Sequence, residues 1–510
     1  MAAPGCRLDV RGRCVPRPNS APTTSPSVKS PPSGLDHGQA ATCAWASIEE
    51  RLRRDARQIG NMVQSMSPEF VKRYSAPVPR YTSYPTSPHF SGTIGPEQYE
   101  AWLAALPART RLSLYLHIPF CDTLCWYCGC STQAVSRYEP VGRYIASLET
   151  EIANVASRVP NSHEVTHIHW GGGSPNVLGA RDIAALAAAT RRCFHVRDDA
   201  EFAVEVDPRR LDRDRIEAFA AAGVSRVSIG VQDFDAKVQA AINRRQSFEA
   251  TERVVRTLRD CGIGGINIDI VYGLPHQTRN SVEETIGKVL TLAPNRIAAF
   301  GYAHLPSRLK RQRLIEEEAL PGIVERFAQA SRLARILTAA GYVRIGLDHF
   351  ARADDPLATG PVKRNFQGYT TESADALIGF GASAISRLPD GYVQNCTPTA
   401  DYERRIGRRA LATARGIALT QDDRMRSFVI ERLMCDLVFP AGELNRIFGS
   451  AAKPILEEAQ ALIEADRDSL IEPNGDTFRI TERGRPFVRT IAACFDAYFC
   501  VGKAQHSLGV

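Results

Sequence analysis

Three absences bound this chain of 510 residues. It has no run of eighteen or so apolar residues, so a transmembrane helix is not expected. It has no paired cysteine framework. The 13 cysteines are an odd number, and Cys193, Cys261, Cys396, Cys435, Cys494 and Cys500 stand singly. That pattern suits small buried hydrophobes in a reducing, cytoplasmic setting. It also has no dense Lys/Arg face: the formal charge of +7 is dispersed along the chain, so a nucleic-acid partner is not expected. With 44% hydrophobic and 23% charged residues it reads as globular, and the length asks for two or three domains.

Residues 1–48 are poor in acids, with two against five Lys/Arg, and they carry seven prolines. Such a segment cannot bury enough apolar surface to order itself, and it lacks the apolar core of a secretory signal. A disordered tail over 1–65 is predicted, or sequence upstream of a start at Met62 or Met66. An N-terminal arm over 66–110 follows, too aromatic around Tyr81 and Tyr84 to stay solvated.

From 112 to 302 the text alternates. Apolar strand-like runs near 112–118, 164–170, 201–206, 225–231, 265–271 and 296–302 are separated by helical patterns such as Tyr144–Val155 and Ile183–Ala189. This predicts an α/β fold with a parallel sheet and right-handed crossovers. A closed eight-unit barrel needs roughly 250 residues and this span is about 190, so an open six-unit (β/α) partial barrel is predicted within a region 111–400. A long helical stretch is expected over about 308–340. Residues 401–510 read as a mostly helical, winged-helix-like domain: a capping box at Thr420 and Asp423, a helix near 453–464, a hairpin at Asn474-Gly475 and a last helix through Phe487–Phe499.

The chemistry gathers where parallel strands end. After the first strand comes Cys121-Asp-Thr-Leu-Cys125-Trp-Tyr-Cys128-Gly-Cys130. Zinc sites favour two pairs of ligands, whereas three thiols in one loop suggest an iron–sulfur cubane with one iron left without a protein ligand. Cys130 is the obvious fourth thiol. After the second strand Gly171–Gly173 make a tight βα turn, or let backbone approach a bound carboxylate or ammonium closely. Glu205 and Asp269 end buried strands and suit ribose hydroxyls, or a structural ion pair. Tyr127 suits stacking on an adenine or loop packing, Gln232 and Arg244 suit polar contacts with a surface position the alternative for Arg244, and His117 and His304 are candidate proton donors or satisfied core histidines.

The cysteine loop and glycine turn resemble the radical S-adenosylmethionine superfamily. Arg80-Tyr-Thr-Ser-Tyr-Pro-Thr86, His117-Ile-Pro-Phe-Cys121, Cys130, Trp170-Gly-Gly-Gly-Ser-Pro175, Gly230-Val-Gln-Asp-Phe234, Tyr272-Gly-Leu-Pro275, Asn365-Phe-Gln-Gly-Tyr-Thr370 and Cys494-Phe-Asp496 together resemble, over roughly 68–500, the oxygen-independent coproporphyrinogen III oxidase family. The resemblance implies a [4Fe-4S] cluster on Cys121, Cys125 and Cys128, with Cys130 left without an assigned role. It implies one S-adenosylmethionine contacted by Tyr115, Tyr127, Gly172 and Glu205 with Ile385 nearby, and a second by Gly173, Ser174, Gln232, Arg244, Asp269 and Ala303. The implied reaction abstracts a propionate β-hydrogen with a 5′-deoxyadenosyl radical and releases CO2 and an electron. Two such rounds convert coproporphyrinogen III into protoporphyrinogen IX for haem synthesis. A cytosolic donor such as flavodoxin or ferredoxin and a monomeric enzyme go with it, and Arg80 and Arg364 are candidates for the propionates. The alternatives are a haem chaperone of the same superfamily, whose members usually lack Cys130 and the tyrosine-rich arm, and another porphyrin-modifying radical enzyme such as a methyltransferase.

Overall fold

A computed structural model describes residues 7–8, 14–15, 54–60, 66–372, 374–499 and 506. The chain divides into residues 1–48 and residues 49–510. In the first unit Arg7–Leu8 pairs antiparallel with Cys14–Val15. Within the expected tail, residues 54–60 are helical, and apart from the short strands at 7–8 and 14–15 the remainder of 1–65 lies outside the described residues.

In the second unit the six expected strands form: β1 (Arg111–Ile118), β2 (Glu164–Gly172), β3 (Val196–Val206), β4 (Arg226–Gln232), β5 (Gly265–Tyr272) and β6 (Arg296–Gly301). They lie side by side in chain order and are all parallel. Helices α1 (Glu139–Ala156), α2 (Ala180–Cys193), α3 (Arg213–Ala221), α4 (Phe248–Asp260) and α5 (Arg279–Thr291) fall between successive strands. Helix α1 shows why they dock. Val141, Tyr144, Ile145, Leu148, Ile152 and Val155 recur at threes and fours and are all buried. Each contributes about 1.5–3 kcal/mol by leaving water.

The helical stretch expected over 308–340 is shorter. Residues 310–314 and 317–319 are single 3-10 turns, and α6 (Ile323–Ala339) begins only after Pro321-Gly322, where proline cannot supply an interior N–H. Strands β7 (Tyr342–Ile345) and β8 (His349–Arg352) then fold back, β8 running antiparallel to β6. A hairpin of β9 (Lys363–Asn365) and β10 (Gly368–Thr370) stands apart. Strand β11 (Ala376–Phe380) pairs parallel with β1, a seventh parallel strand beyond the six expected. Strands β12 (Ile385–Leu388), β13 (Gly391–Asn395) and β14 (Thr413–Ala418) extend that side antiparallel. The twelve-stranded sheet runs from β7 to β14, which are not partners. The barrel is open.

One side chain of α1 secures the β11–β13 flank. Glu151 is 2% exposed and accepts from Gly381 N–H, Asn395 Nδ2 and Tyr402 O–H, each at 2.7 Å; Tyr402 lies on α7 (Thr399–Gly407). Burial pushes its carboxyl up to about 7 despite these donors. An unfolded glutamate titrates near 4.5, so between these values the unfolded chain releases a proton that the folded chain keeps. Glu151 therefore makes stability fall as pH rises through that window. Glu151→Ala strands three buried donors and is expected to cost about 3 kcal/mol. Urea midpoints measured across the window should show a lower value and a flatter pH slope for the variant.

The C-terminal region contains α8 (Gln421–Asp436), opened by the expected Thr420–Asp423 capping box, then α9 (Ala441–Phe448) and α10 (Lys453–Ala465). Strand β17 (Thr477–Ile480) pairs with β16 (Ile471–Asn474) across the expected turn and with β15 (Val438–Pro440) on its other edge. Among the described residues the last helix is α11 (Val488–Ala493), shorter than expected. Phe70, Val71, Tyr81 and Tyr84 of the arm share one apolar core with Val429, Leu433, Phe439, Phe478 and Phe495. The arm is ordered because the C-terminal helices bury its aromatics. Among the described residues no helix is long and apolar enough to cross a membrane.

Candidate active site

The cysteine loop leaves the end of β1 and is clamped from two neighbouring rim segments. Asn243 Nδ2 donates to Leu124 O at 2.9 Å, and Trp126 N–H donates to Ile242 O at 3.0 Å. From the segment after β6, Gln312 Nε2 donates to Tyr127 O and Arg311 Nη1 to Thr132 Oγ1, both at 2.9 Å. The glycine turn docks on the same loop: Gly173 N–H reaches Ile118 O and Ser174 N–H reaches Phe120 O, each at 2.8 Å.

These segments enclose a cavity of about 580 Å³. It brings together Cys121, Cys125, Cys128, Cys130, Tyr127, Gly172, Gly173, Ser174, Glu205, Gln232, Arg244, Asp269 and Ala303. Of the residues named from sequence, Tyr115, His117, Gly171, His304, Arg364 and Ile385 do not line it. Tyr115 bonds instead to His117 Nδ1 at 3.0 Å, and Ile385 opens β12. Gln232 holds φ 70°, a strained conformation of the kind found at binding sites. A larger groove of about 1060 Å³ beside residues 56–60 and α6 contains none of these groups.

Charge inside the cavity is arranged in pairs. Glu205 Oε1 meets His169 Nε2 at 3.0 Å, and its Oε2 accepts from Gly172 N–H at 3.2 Å. Burial works against the carboxylate, yet these two partners hold it below the usual range. Asp269 is pushed up to about 6 by burial and the charge of Glu205, while Ser228 and Asn267 donate to it. One wall was missed from sequence. Asp207 pairs with Arg209 at 2.6 Å and Arg244 at 3.0 Å, and both guanidiniums turn a donor toward Cys125 Sγ, at 3.6 and 3.4 Å. An Asp directly before a proline at a strand end was the available signal. It reads more simply as the cap of the Pro208–Arg210 turn, which it also is.

The histidines are committed. His117 is buried, and its Nε2 faces Ser131 O at 3.0 Å, which only accepts. Nε2 therefore carries the proton, and Nδ1 accepts from Tyr115 O–H. His304 is fixed likewise between Tyr302 O–H at 2.9 Å and Glu317 Oε1 at 3.0 Å. Both hold loops in place, the first of the two earlier alternatives being the weaker.

The donor set fits an iron–sulfur cluster. Burial pushes the Cys121 thiol up to about 12, and the neighbouring thiols add to it, a crowding of negative charge that bound iron relieves. Among the described residues no three His, Cys, Asp or Glu side chains are arranged for one metal ion; a cubane instead takes each thiolate on a separate iron. Arg244 Nε is buried in the wall without a hydrogen-bond partner, as expected beside a site for an anionic group.

The sequence matches the Radical SAM superfamily over residues 115–289 and the HemN C-terminal domain over residues 419–487. Fold and site thus define a radical S-adenosylmethionine enzyme, an oxidoreductase that works with a [4Fe-4S] cluster. The chain is 48% identical over 437 residues to the oxygen-independent coproporphyrinogen III oxidase of Bradyrhizobium diazoefficiens, covering 85% of this chain and 97% of that one. It is 43% identical to the enzyme of Paracoccus denitrificans, with coverages of 86% and 98%. The solved coproporphyrinogen III oxidase (HemN) of Escherichia coli, described as a radical SAM enzyme, superposes with a TM-score of 0.80 at 36% identity, over 85% of this chain and 99% of that one. The chain belongs to the oxygen-independent coproporphyrinogen III oxidases.

Proposed function

We propose that the 580 Å³ cavity is where propionate groups of coproporphyrinogen III lose CO2. The observation that carries this reading is that the cysteine loop, the glycine turn and the Glu205, Gln232, Arg244 and Asp269 side chains, scattered over five strand ends, face one space. Cys121, Cys125 and Cys128 hold the cluster. Tyr115, Tyr127, Gly172 and Glu205 contact the S-adenosylmethionine on its open iron, with Ile385 nearby. Gly173, Ser174, Gln232, Arg244, Asp269 and Ala303 contact a second molecule. When bound, these cofactors supply the electron and the hydrogen-abstracting radical chemistry.

The protein's own part is orientation and exclusion. Glu205 stays ionised to accept ribose hydroxyls, and Gly172 and Gly173 admit backbone contacts that a side chain would block. Arg80, on the cavity wall with Nη2 donating to Gly301 O at 2.9 Å, faces the anionic substrate. The division 66–110, 111–400 and 401–510 follows this use: the barrel carries the cofactors, and the arm and C-terminal region close the substrate side. A cytosolic one-electron donor of flavodoxin or ferredoxin type and a monomeric, cytoplasmic enzyme complete the reading.

Anaerobic incubation of the reconstituted protein with coproporphyrinogen III, S-adenosylmethionine and a reductant tests it. Two CO2 losses with vinyl formation are expected. Stoichiometric haem binding without turnover, or product mass raised by methyl groups, would replace the reading with a chaperone or a methyltransferase.

A further inference from the structure

An arginine outside the cysteine cavity deepens the porphyrinogen reading and rests on it. Arg364 lies at the centre of β9, opposite Tyr369 on β10. Its side chain is 5% exposed, and its Nε and Nη1 are buried without a hydrogen-bond acceptor. The guanidinium sits 4.4 Å over the Tyr369 ring and 3.8 Å from Asp348 Oδ1. That oxygen is already engaged with His349 Nδ1 at 2.8 Å. Buried guanidinium donors are rarely left without acceptors, because desolvation then goes uncompensated. Asp348 supplies charge at 3.8 Å but no hydrogen bond to these two nitrogens.

The space beside Arg364 indicates its size. A cavity of about 40 Å³ is lined by Arg364, Arg387, residues 81–84 of the arm, and Ser427 and Glu431 of α8. It admits a group of carboxylate size and excludes a macrocycle. Arg364, Arg387 and Glu431 line it together, and Arg387 Nη2 donates to Ala374 O over a long 3.4 Å. Arg80, adjacent in sequence to Tyr81, lines the cysteine cavity. The arm thus runs between a large cavity suited to the reacting edge of a porphyrinogen and a small one suited to a single acidic side arm.

We propose that Arg364 receives a propionate that is not the one being decarboxylated, and thereby sets which edge of the macrocycle faces the cysteines. Coproporphyrinogen III carries four propionates, so an anchor for a non-reacting one is available in every round. Arg364 binds through charge-assisted hydrogen bonds to the carboxylate, and Tyr369 keeps the guanidinium plane in place.

The test compares the full-length reconstituted enzyme with Arg364→Gln and Arg364→Lys. Arg364→Gln should raise KM for coproporphyrinogen III by about tenfold to a hundredfold, with cluster absorbance and the apparent affinity for S-adenosylmethionine unchanged. Cofactor cleavage without vinyl product should rise, and Arg364→Lys should recover part of the KM. Competition by the dicarboxylate product gives a second readout: the wild-type preference for the tetracarboxylate should shrink in Arg364→Gln. Arg387→Gln, on the same cavity, should shift KM in the same direction, and it decides the matter if Arg364→Gln does not fold. An unchanged KM in Arg364→Gln or Arg387→Gln overturns the inference, as does a loss of cluster that Arg364→Lys shares. A wild-type enzyme that makes no vinyl product would instead remove the reading beneath it.

Discussion

Cys121→Ala, Cys125→Ala and Cys128→Ala are each expected to abolish both the visible absorbance of the cluster and all product formation. With three protein ligands for four irons there is no spare; removing one leaves two irons without a thiolate. Cys130 is not expected to replace the lost ligand. It is held where its backbone N–H donates to Cys128 Sγ at 3.4 Å, and its carbonyl accepts from Arg311 Nη2 at 3.3 Å. Cys130→Ala removes the thiol contact to Cys128 but keeps both main-chain contacts, and should keep the cluster. Iron content, absorbance and product, measured anaerobically on all four variants, check the set. Activity retained in any of the first three, or iron lost from Cys130→Ala to the same extent, would show that the ligand set is different.

The cysteines were legible because a thiol cluster in ten residues is a local pattern, and the six strands because their apolar runs alternate with amphipathic helices of ordinary length. The placement of Gly172, Glu205, Gln232 and Asp269 on one rim followed from that alternation alone. Strand β11 was not legible. Ala376-Leu-Ile-Gly-Phe380 is a short apolar run reached through β9 and β10, without a crossover helix, and only its pairing with β1 makes it part of the barrel. The Asp207–Arg209–Arg244 wall joins residues 37 apart in sequence, and Asp207 has a sufficient local explanation as a cap. The Arg364 cavity was hidden further still, since its lining comes from residues 81–84, β9 and α8. Arg364 itself could be named as a candidate for a propionate, but its missing acceptors exist only once the fold buries it. Tyr115 and Ile385 were named by family resemblance, and no spacing in the chain points to either.

Within the glycine turn, Gly173→Ala is expected to be the most damaging change, Gly172→Ala intermediate and Gly171→Ala mildest. The order follows from what a new Cβ meets. At Gly171 its nearest neighbour is the carboxylate of Glu205, with Oε1 at 2.7 Å and Oε2 at 2.8 Å, a side chain that can rotate at the expense of its bond to His169. At Gly172 it meets the His117 ring, with Nε2 at 2.9 Å, and the backbone there has φ +107°. His117 is pinned at both nitrogens, by Tyr115 and Ser131, so it yields only by losing both bonds, and the left-handed backbone adds strain for any L side chain. At Gly173 the new atom meets the main chain of Phe120, with N at 2.7 Å and C at 2.8 Å. Main chain cannot rotate away, and this stretch leads directly into Cys121. The methyl group must push the turn off the cysteine loop, breaking the bonds from Gly173 and Ser174 that join them. Overpacking of this kind costs about 1–3 kcal/mol of stability, and a displacement of roughly an ångström between reacting groups lowers turnover about a hundredfold. Turnover and equilibrium binding of S-adenosylmethionine, measured on variants with matched iron content, should therefore fall in the order 171, 172, 173. Equal losses at all three positions would mean that contact with the cofactor, and not packing against β1 and its cysteine loop, sets the requirement for glycine.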